Sequence, residues 1–517
     1  MSLESKSKEQ GAGSREQNEC WKVVSEFAQG IRLCGLKEER VHQDLRDWIE
    51  QVKELGELEV IRGAHWDLEI GALVETVRRE CRRNPALLFE AIADYPPDYR
   101  ILTNSHYSLR RLALILNLPT DLSPMAMVRA WKERMSGLKL TPTLEVKTGP
   151  LMENVKQGKE VNLLDFPAPR WHELDGGRYL ATGCLVITRD PETGDVNLGT
   201  YRGMLHGENA MGLYMSPGRH GLLHMNKYFA RKEAFPVAVS LGQDPVLFLC
   251  AGMSLPVSVC EYSYAGAIRG EPIEVITGSV TGLPLPARSE VVLEGECVPG
   301  DVLTEGPFGE WTGYYGSAAR PETVIRVKAV YHRSAPILEG ALPPRPPWGV
   351  SPPIERSAQV WHQMEQAGVP DIRGVWCSEV GGPFLMQVVS IKQRYAGHAR
   401  QAALIASQCR AGGYMRRYTV VVDEDIDPSS LEEVMWAVTT RTDPEQDIEI
   451  MRRCWSGPLD PAIPFDRNGF KGFHSRAIID ACRPYEWRAE FSPVVGCTPE
   501  LRSRVREKWK ERLSKMQ

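Results

Sequence analysis

Residues 182–204 read TGCLVITRDPETGDVNLGTYRGM, two apolar runs on either side of Asp190-Pro191-Glu192-Thr193-Gly194. β-branched and apolar residues bounded by turn formers predict strands over Thr182 to Thr188 and Val196 to Met204, and the Asp-Pro-Glu-Thr-Gly cluster predicts the hairpin turn between them. Asn197 and Arg202 then lie on the second strand of a hairpin, with Asn197 and Thr200 on opposite faces unless Gly199 introduces a bulge. The same texture continues outward. Runs at Val237 to Leu241, Val246 to Cys250, Glu290 to Leu293 and Thr323 to His332, punctuated by Gly and Pro, predict a barrel or sandwich core from about Leu180 to Glu339.

Upstream of this core, apolar residues at helical spacing predict helices over Val41 to Leu55, Asp67 to Arg82 and Ser108 to Leu116, with a short strand at Leu87 to Phe89. Downstream, six prolines between Pro343 and Pro353 can continue neither a helix nor a central strand and mark a boundary. Past it come a helix (Glu355 to Ala367), strands (Arg373 to Cys377, Leu385 to Ile391), a helix (His398 to Cys409), a strand (Tyr418 to Val422) and a helix (Leu431 to Val438). Thr498-Pro499 then opens a helix with the stripe Leu501, Val505, Trp509 and Leu513. The expected fold class is α+β. Residues 1–20 form a polar, unstructured N-terminus, 21–340 a mixed α/β lead-in plus strand core, 341–353 a Pro-rich linker, 354–490 an α+β domain and 491–517 a terminal helix.

Charge is nearly balanced, 62 Lys+Arg against 67 Asp+Glu in 517 residues, which argues against a bulk binder of nucleic acid. No apolar run approaches a membrane span, and Phe235 to Met253 is interrupted by Ser240, Gln243 and Asp244. The 12 cysteines are scattered with no C-x-x-C pair and read as reduced thiols of a cytoplasmic protein, not as a zinc site or disulfide framework. Phosphate-loop, dinucleotide-turn, H-E-x-x-H and G-x-S-x-G signatures are missing.

Thr304-Glu305-Gly306-Pro307-Phe308-Gly309-Glu310 sets two acids across a Gly-Pro turn beside Trp311 and Tyr314-Tyr315. Two carboxyls held close in apolar company cannot both ionise freely, so one should rise toward the range of a proton donor near neutrality. An acidic surface turn is the plainer reading of the same residues. Arg202 has the planar fork to clamp a carboxylate or phosphate, though a lone Arg on a strand more often forms a surface ion pair. Asn197, His220 (in Gly218-Arg219-His220-Gly221) and Glu261 offer mixed N/O ligands that suit Mn²⁺ or Mg²⁺ better than zinc, against a structural role for His220. Lys392, after a predicted strand, offers a point charge to a phosphate.

Asn197-Leu198-Gly199-Thr200-Tyr201-Arg202, Gly218-Arg219-His220-Gly221, Glu261 with Ala265 to Pro272, Glu305 to Glu310, and Trp436-Ala437-Val438-Thr439-Thr440-Arg441 together resemble the UbiD family of reversible decarboxylases, over about Leu45 to Pro493. The resemblance implies a prenylated FMN bound between a domain with a split β-barrel core and a C-terminal oligomerisation domain. It implies Asn197, His220 and Glu261 as ligands of Mn²⁺ or Mg²⁺ next to the cofactor phosphate, with K⁺ near Ala251, Met253 and Glu261. Asn197, Thr200, Tyr201, Arg202, Arg219, His220, Glu261 and Lys392 match cofactor-contacting positions. Arg202, Glu305 and Glu310 match a catalytic Arg-Glu-Glu network in which Glu310 is the proton donor.

The implied reaction is non-oxidative, reversible decarboxylation of an aromatic, heteroaromatic or α,β-unsaturated carboxylic acid through a covalent adduct between cofactor and substrate, because no side chain can hold the carbanion left by CO₂. The implied partners are the acid substrate and CO₂, a flavin prenyltransferase that makes the cofactor, and copies of the chain in a homodimer or homohexamer; neither nucleic acid nor membrane is expected. The rivals are a subunit of a multicomponent carboxylase, a flavin-dependent oxidoreductase on a split-barrel fold and a non-catalytic paralogue.

Overall fold

The predicted hairpin forms. Strand Cys184–Arg189 pairs antiparallel with Val196–Gly199, Thr188 opposite Asn197. Gly194 N–H donates to the Asp190 carbonyl at 2.9 Å, and Asp190 Oδ1 accepts from Glu192 N–H at 2.8 Å, which closes the turn. The second strand is shorter than expected. It ends at Gly199, so Arg202 lies beyond it, in a single antiparallel bridge with Tyr214.

The computed structural model describes residues 41–256, 259–316, 318–343, 345–346, 351–463 and 472–514. The expectation of an unstructured segment 1–20 and parts of the Pro-rich linker and terminal helix lie outside these residues. Around the hairpin runs an antiparallel sheet of seven strands: Ala210–Gly212, Arg320–His332, Val291–Glu305, Phe235–Leu241, Cys184–Arg189 and Val196–Gly199 in that order, with Asn154–Gln157 added to Arg320–His332. The two ends of the path do not pair, so the barrel is split, not closed.

Strand Val291–Glu305 is far longer than the expected run to Leu293. Val298-Pro299-Gly300-Asp301 reads locally as a turn, but register shifts at Glu294/Gly295 and Cys297/Val302 absorb the extra residues, and the strand continues to Glu305 opposite Arg320. A four-stranded sheet, Leu58–Arg62, Ala86–Glu90, Arg100–Thr103 and Ile337–Gly340, carries the lead-in and takes its last strand from the far end of the core. Its helices Leu45–Glu54, Glu69–Glu80 and Leu109–Leu116 lie where helical spacing places them.

One element is corrected outright. Val246 to Cys250 is not a strand but part of the helix Pro245–Gly252: Asp244 caps it by accepting from Val246 N–H at 2.9 Å, and Pro245 occupies the first turn. A short run apolar on every side carries no period to separate the two. Helices Pro124–Ser136, His220–Ala230 and Glu261–Arg269 are further additions. After the prolines, Ile372–Trp376, Met386–Ile391, Tyr418–Asp423, Phe473–Ala481 and Ile448–Trp455 form a five-stranded sheet, parallel at its centre, with helices Ile354–Gln366, His398–Gln408 and Leu431–Arg441. From Gln43 on, the described residues pack as one unit. The terminal helix is broken at Trp509 into Pro499–Lys508 and Lys510–Ser514, and is exposed throughout. Among the described residues no helix is long and apolar enough to cross a membrane.

Candidate active site

Glu305 is set by the end of its long strand. Gly306 follows with φ +85°, a conformation costly for any residue with a Cβ, and turns the chain back through a cis Gly306-Pro307 peptide. The loop is then tied down: Gly309 N–H donates to Asp175 Oδ1 (3.1 Å), Glu310 N–H to the Tyr314 carbonyl (2.9 Å) and Gly316 N–H to the Phe308 carbonyl (3.2 Å). Glu310 thus returns to face the strand end it left.

Between the two acids lies Arg202. Its Nε donates to Glu305 Oε1 at 2.7 Å and its Nη2 to Glu305 Oε2 at 3.0 Å, a bidentate pair, while Nη1 bonds to Glu310. The guanidinium sits over the Tyr214 ring (4.3 Å) and near Phe308 (5.2 Å), and Tyr179 donates its hydroxyl to Glu305 Oε1 at 3.0 Å. Glu305 is fully buried and Glu310 only 7 % exposed, which excludes the plainer reading of an acidic surface turn. One cation shared between two buried carboxyls leaves the more weakly bonded one short of charge compensation. Burial, with Glu305 adding to it against the pull of Arg202, pushes the Glu310 carboxyl up to about 7. Although burial works against it, Glu305 and Glu310 hold the Arg202 guanidinium above its ordinary range. The three groups can therefore grip a carboxylate and hold an exchangeable proton beside it at neutral pH.

Asn197, His220 and Glu261 are set by the hairpin and two helix starts. His220 opens His220–Ala230, Glu261 opens Glu261–Arg269, and Glu261 Oε2 accepts from Leu198 N–H at 2.9 Å, next to Asn197. Asn197 and His220 line one recess of about 630 Å³. Asn197 Nδ2 is buried without a hydrogen-bond partner. Burial pushes the Glu261 carboxyl up to about 7 with no basic side chain to oppose it, and burial, with Arg410 and Arg219, pushes the His220 imidazole down, toward the neutral form that binds metals. Tyr201 packs its ring against Gly199, where a Cβ would stand 2.3 Å from it, and accepts from Gly221 N–H at 3.2 Å. Ala251 and Met253 close the helix Pro245–Gly252, which packs on the helix begun by Glu261.

Lys392 is not brought to this group. Its side chain is 46 % exposed, its ammonium is 3.9 Å from Glu424, and it lines a separate recess with Asp423, Arg483 and Arg488. The strand Met386–Ile391 ends there and turns Lys392 to solvent. The basic side chains whose charge acts on His220 are Arg410, which also donates to the Leu255 carbonyl at 3.2 Å, and Arg219.

Three family models match in order: the UbiD 3-octaprenyl-4-hydroxybenzoate carboxy-lyase N-terminal domain over residues 49–131, its Rift-related domain over 143–346 and its C-terminal domain over 354–481. A phenolic acid decarboxylase of Streptomyces sp. is 31% identical over 92% of this chain and 98% of its own. The chain belongs to the UbiD family. Another UbiD relative, a pyrrole-2-carboxylic acid decarboxylase of Pseudomonas aeruginosa, is 30% identical over 90% of this chain and 98% of its own. Among solved structures, vanillic acid decarboxylase of Sedimentibacter hydroxybenzoicus in closed form superposes with a TM-score of 0.77 at 30% identity, covering 92% of this chain and 99% of that one. The UbiD-class enzyme HmfF of Pelotomaculum thermopropionicum, in complex with FMN, gives 0.77 at 26% identity, covering 89% and 98%.

The residues present fit the groups that the UbiD resemblance implies. The amide oxygen of Asn197, the imidazole of His220, pushed toward its neutral form, and the buried Glu261 carboxyl, which no basic side chain opposes, would make a donor set for a hard divalent ion. Among the described residues no cluster of three or more His, Cys, Asp or Glu side chains is placed to hold a metal. Sequence reasoning missed Tyr179, Tyr214 and Arg410. Tyr179 and Tyr214 carry no local signal, since each acts on a partner brought in from another strand.

Proposed function

We propose that this UbiD-family chain catalyses non-oxidative, reversible decarboxylation of an aromatic, heteroaromatic or α,β-unsaturated carboxylic acid with prenylated FMN. The observation that carries the reading is the buried Arg202 forked onto Glu305 and bonded to Glu310. Support for the reaction class comes from the decarboxylase relatives, and for the cofactor from the HmfF structures, one of which is a complex with prenylated FMN. Asn197, His220 and Glu261 would hold Mn²⁺ or Mg²⁺, and Ala251, Met253 and Glu261 a K⁺ ion. Thr200, Tyr201 and Arg219 would contact the cofactor, and Arg410 takes the place first given to Lys392. Bound there, prenylated FMN supplies the electron sink that side chains lack.

Arg202 orients the departing carboxylate through the Nη1 and Nη2 hydrogens not spent on Glu305 and Glu310. Glu310 holds a proton up to about pH 7 and delivers it to the carbon that CO₂ leaves. Phe308, Tyr214 and Tyr179 exclude water around that proton. A flavin prenyltransferase makes the cofactor, and the exposed Leu501, Val505, Trp509 and Leu513 support self-association as a dimer or hexamer. The test is Glu310→Gln in protein reconstituted with cofactor: turnover is lost while the bound flavin spectrum remains. Full activity in that variant refutes the assignment of Glu310.

A further inference from the structure

Asp460 is buried in the segment 456–463, which follows the strand Ile448–Trp455. Four donors meet its carboxylate. Oδ2 accepts from the Ser456 hydroxyl at 2.8 Å and from His474 Nδ1 at 2.9 Å, and Oδ1 accepts from Ala462 N–H at 3.1 Å and from Arg417 Nη2. Although burial works against it, the bonds from His474, Ser456 and Arg417 hold this carboxyl well below the usual carboxylate range, so it is ionised at neutral pH. The side-chain donors come from three strand ends: Ser456 follows Ile448–Trp455, Arg417 precedes Tyr418–Asp423, and His474 lies at the start of Phe473–Ala481. The backbone closes on the same residue, with Asp460 N–H donating to the Gly457 carbonyl and Ile463 N–H to the Asp460 carbonyl, each at 3.1 Å.

The side chain next to this node reaches the proton donor. Leu459 Cδ2 and Glu310 Cγ flank the bare Gly316, 2.9 Å and 2.6 Å from the point where a Cβ of that residue would stand. Tyr414 packs its hydroxyl so closely on Gly457 that a Cβ there has no room, and its ring meets that of Phe384 edge-on at 5.6 Å. Phe384 in turn lies 5.0 Å from the ring of Trp311, the residue after Glu310. The charges that act on Glu310 belong to Arg202, Glu305 and Arg320, and Tyr414 feels those of both Glu310 and Asp460. Burial nevertheless outweighs each of them at Glu310, and apolar cover is what the segment supplies through Leu459.

We infer that Asp460 is a positioning residue for the reaction: its four hydrogen bonds latch the segment 456–463 so that Leu459 covers the Glu310 carboxyl and keeps water from the proton held there. The inference rests on the proposed reading of Glu310 as the donor. A buried carboxylate with four donors favours one arrangement of the chain around it, because displacing a donor leaves buried charge short of compensation. Breaking the latch frees Leu459, admits water beside Glu310 and relaxes that carboxyl toward its ordinary range.

The test follows the Glu310 proton in flavin-loaded protein by infrared difference spectroscopy against pH, the carboxyl band being identified by its loss in Glu310→Gln. In Leu459→Ala and in Asp460→Asn the midpoint should fall by about one pH unit or more, a roughly tenfold loss of the protonated population above it. The double variant should lie no lower than Leu459→Ala alone, since both changes remove the same cover. An unchanged midpoint in either folded single variant overturns the inference. So does full additivity in the double variant, which would mark a direct effect of the Asp460 charge on Glu310. Should Asp460→Asn fail to fold, Ser456→Ala and His474→Asn each remove one bond of the latch and should give a smaller shift in the same sense; no shift in either overturns the inference. Full turnover in Glu310→Gln would instead remove the donor assignment, an outcome read from activity and separate from the band positions.

Discussion

Removing the negative charge of Glu305 should move the proton on Glu310, in a direction the geometry dictates. With both acids present, the Glu310 carboxyl is pushed up to about 7 by burial, with Glu305 adding and Arg202 opposing. In Glu305→Gln the raising charge is gone, and the two Arg202 N–H groups now spent on Glu305 are freed to favour ionised Glu310. Both changes act downward. If Glu310 is the donor, the protonated form is the active one, so kcat/KM in wild type should fall as pH rises through about 7, with roughly one tenth of the protonated population left one unit above it. In Glu305→Gln the midpoint should lie at lower pH. Because that variant turns over slowly if at all, the proton is better followed by infrared difference spectroscopy of the protonated carboxyl stretch, with Glu310→Gln as the control that lacks the band. A wild-type band that persists undiminished far above pH 7, or a midpoint that rises in Glu305→Gln, would refute the reasoning.

Tyr179→Phe removes the 3.0 Å hydrogen bond to Glu305 while keeping the ring against Phe308, and should cost about 10- to 100-fold in kcat/KM with little change in thermal stability. Gly316→Ala would put a Cβ 2.6 Å from Glu310 Cγ and 2.9 Å from Leu459 Cδ2, so steady-state turnover should drop at least about tenfold through displacement of the donor. Glu339 accepts from Gln243 at 2.8 Å and from Ser105 in the core, and burial raises its carboxyl from 4.5 to about 8. Its contribution to stability is full below pH 4.5 and is lost as pH rises through about 8; urea unfolding of Glu339→Gln should therefore decline less steeply between pH 5 and 7, by up to about 1.4 kcal/mol per unit. Chelation of divalent ions, or Glu261→Gln, should release flavin from the reconstituted protein, read from the absorbance that passes a desalting column.

Elements with their own start and stop chemistry were legible in the chain. The Asp190 to Gly194 turn, the glycine-ended first helix and the Thr498-Pro499 cap each satisfy backbone groups within a few residues, and they form where spacing puts them. Where context competes, local reading fails. Pro299-Gly300 signals a turn that the paired strand Arg320–His332 overrides, and the apolar run after Asp244 becomes a helix.

The Glu305 and Glu310 pair was visible as two acids around a Gly-Pro turn, and the family resemblance added Arg202. Composition and spacing cannot say that a guanidinium more than a hundred residues upstream divides its hydrogen bonds unequally between them, because that depends on where the hairpin, the long strand and the returning loop end in space. The same dependence displaced Lys392, whose position after a strand says nothing about which recess that strand end faces, and brought Arg410 to His220 instead. Arg356 shows the division most plainly. An arginine in the first turn of a helix is an ordinary solvent-exposed residue in any one-dimensional reading. Only packing lowers the exposure of Arg356 to 7 % and sets its guanidinium 4.1 Å from the Phe384 ring, with the adjacent Glu355 as its largest opposing charge.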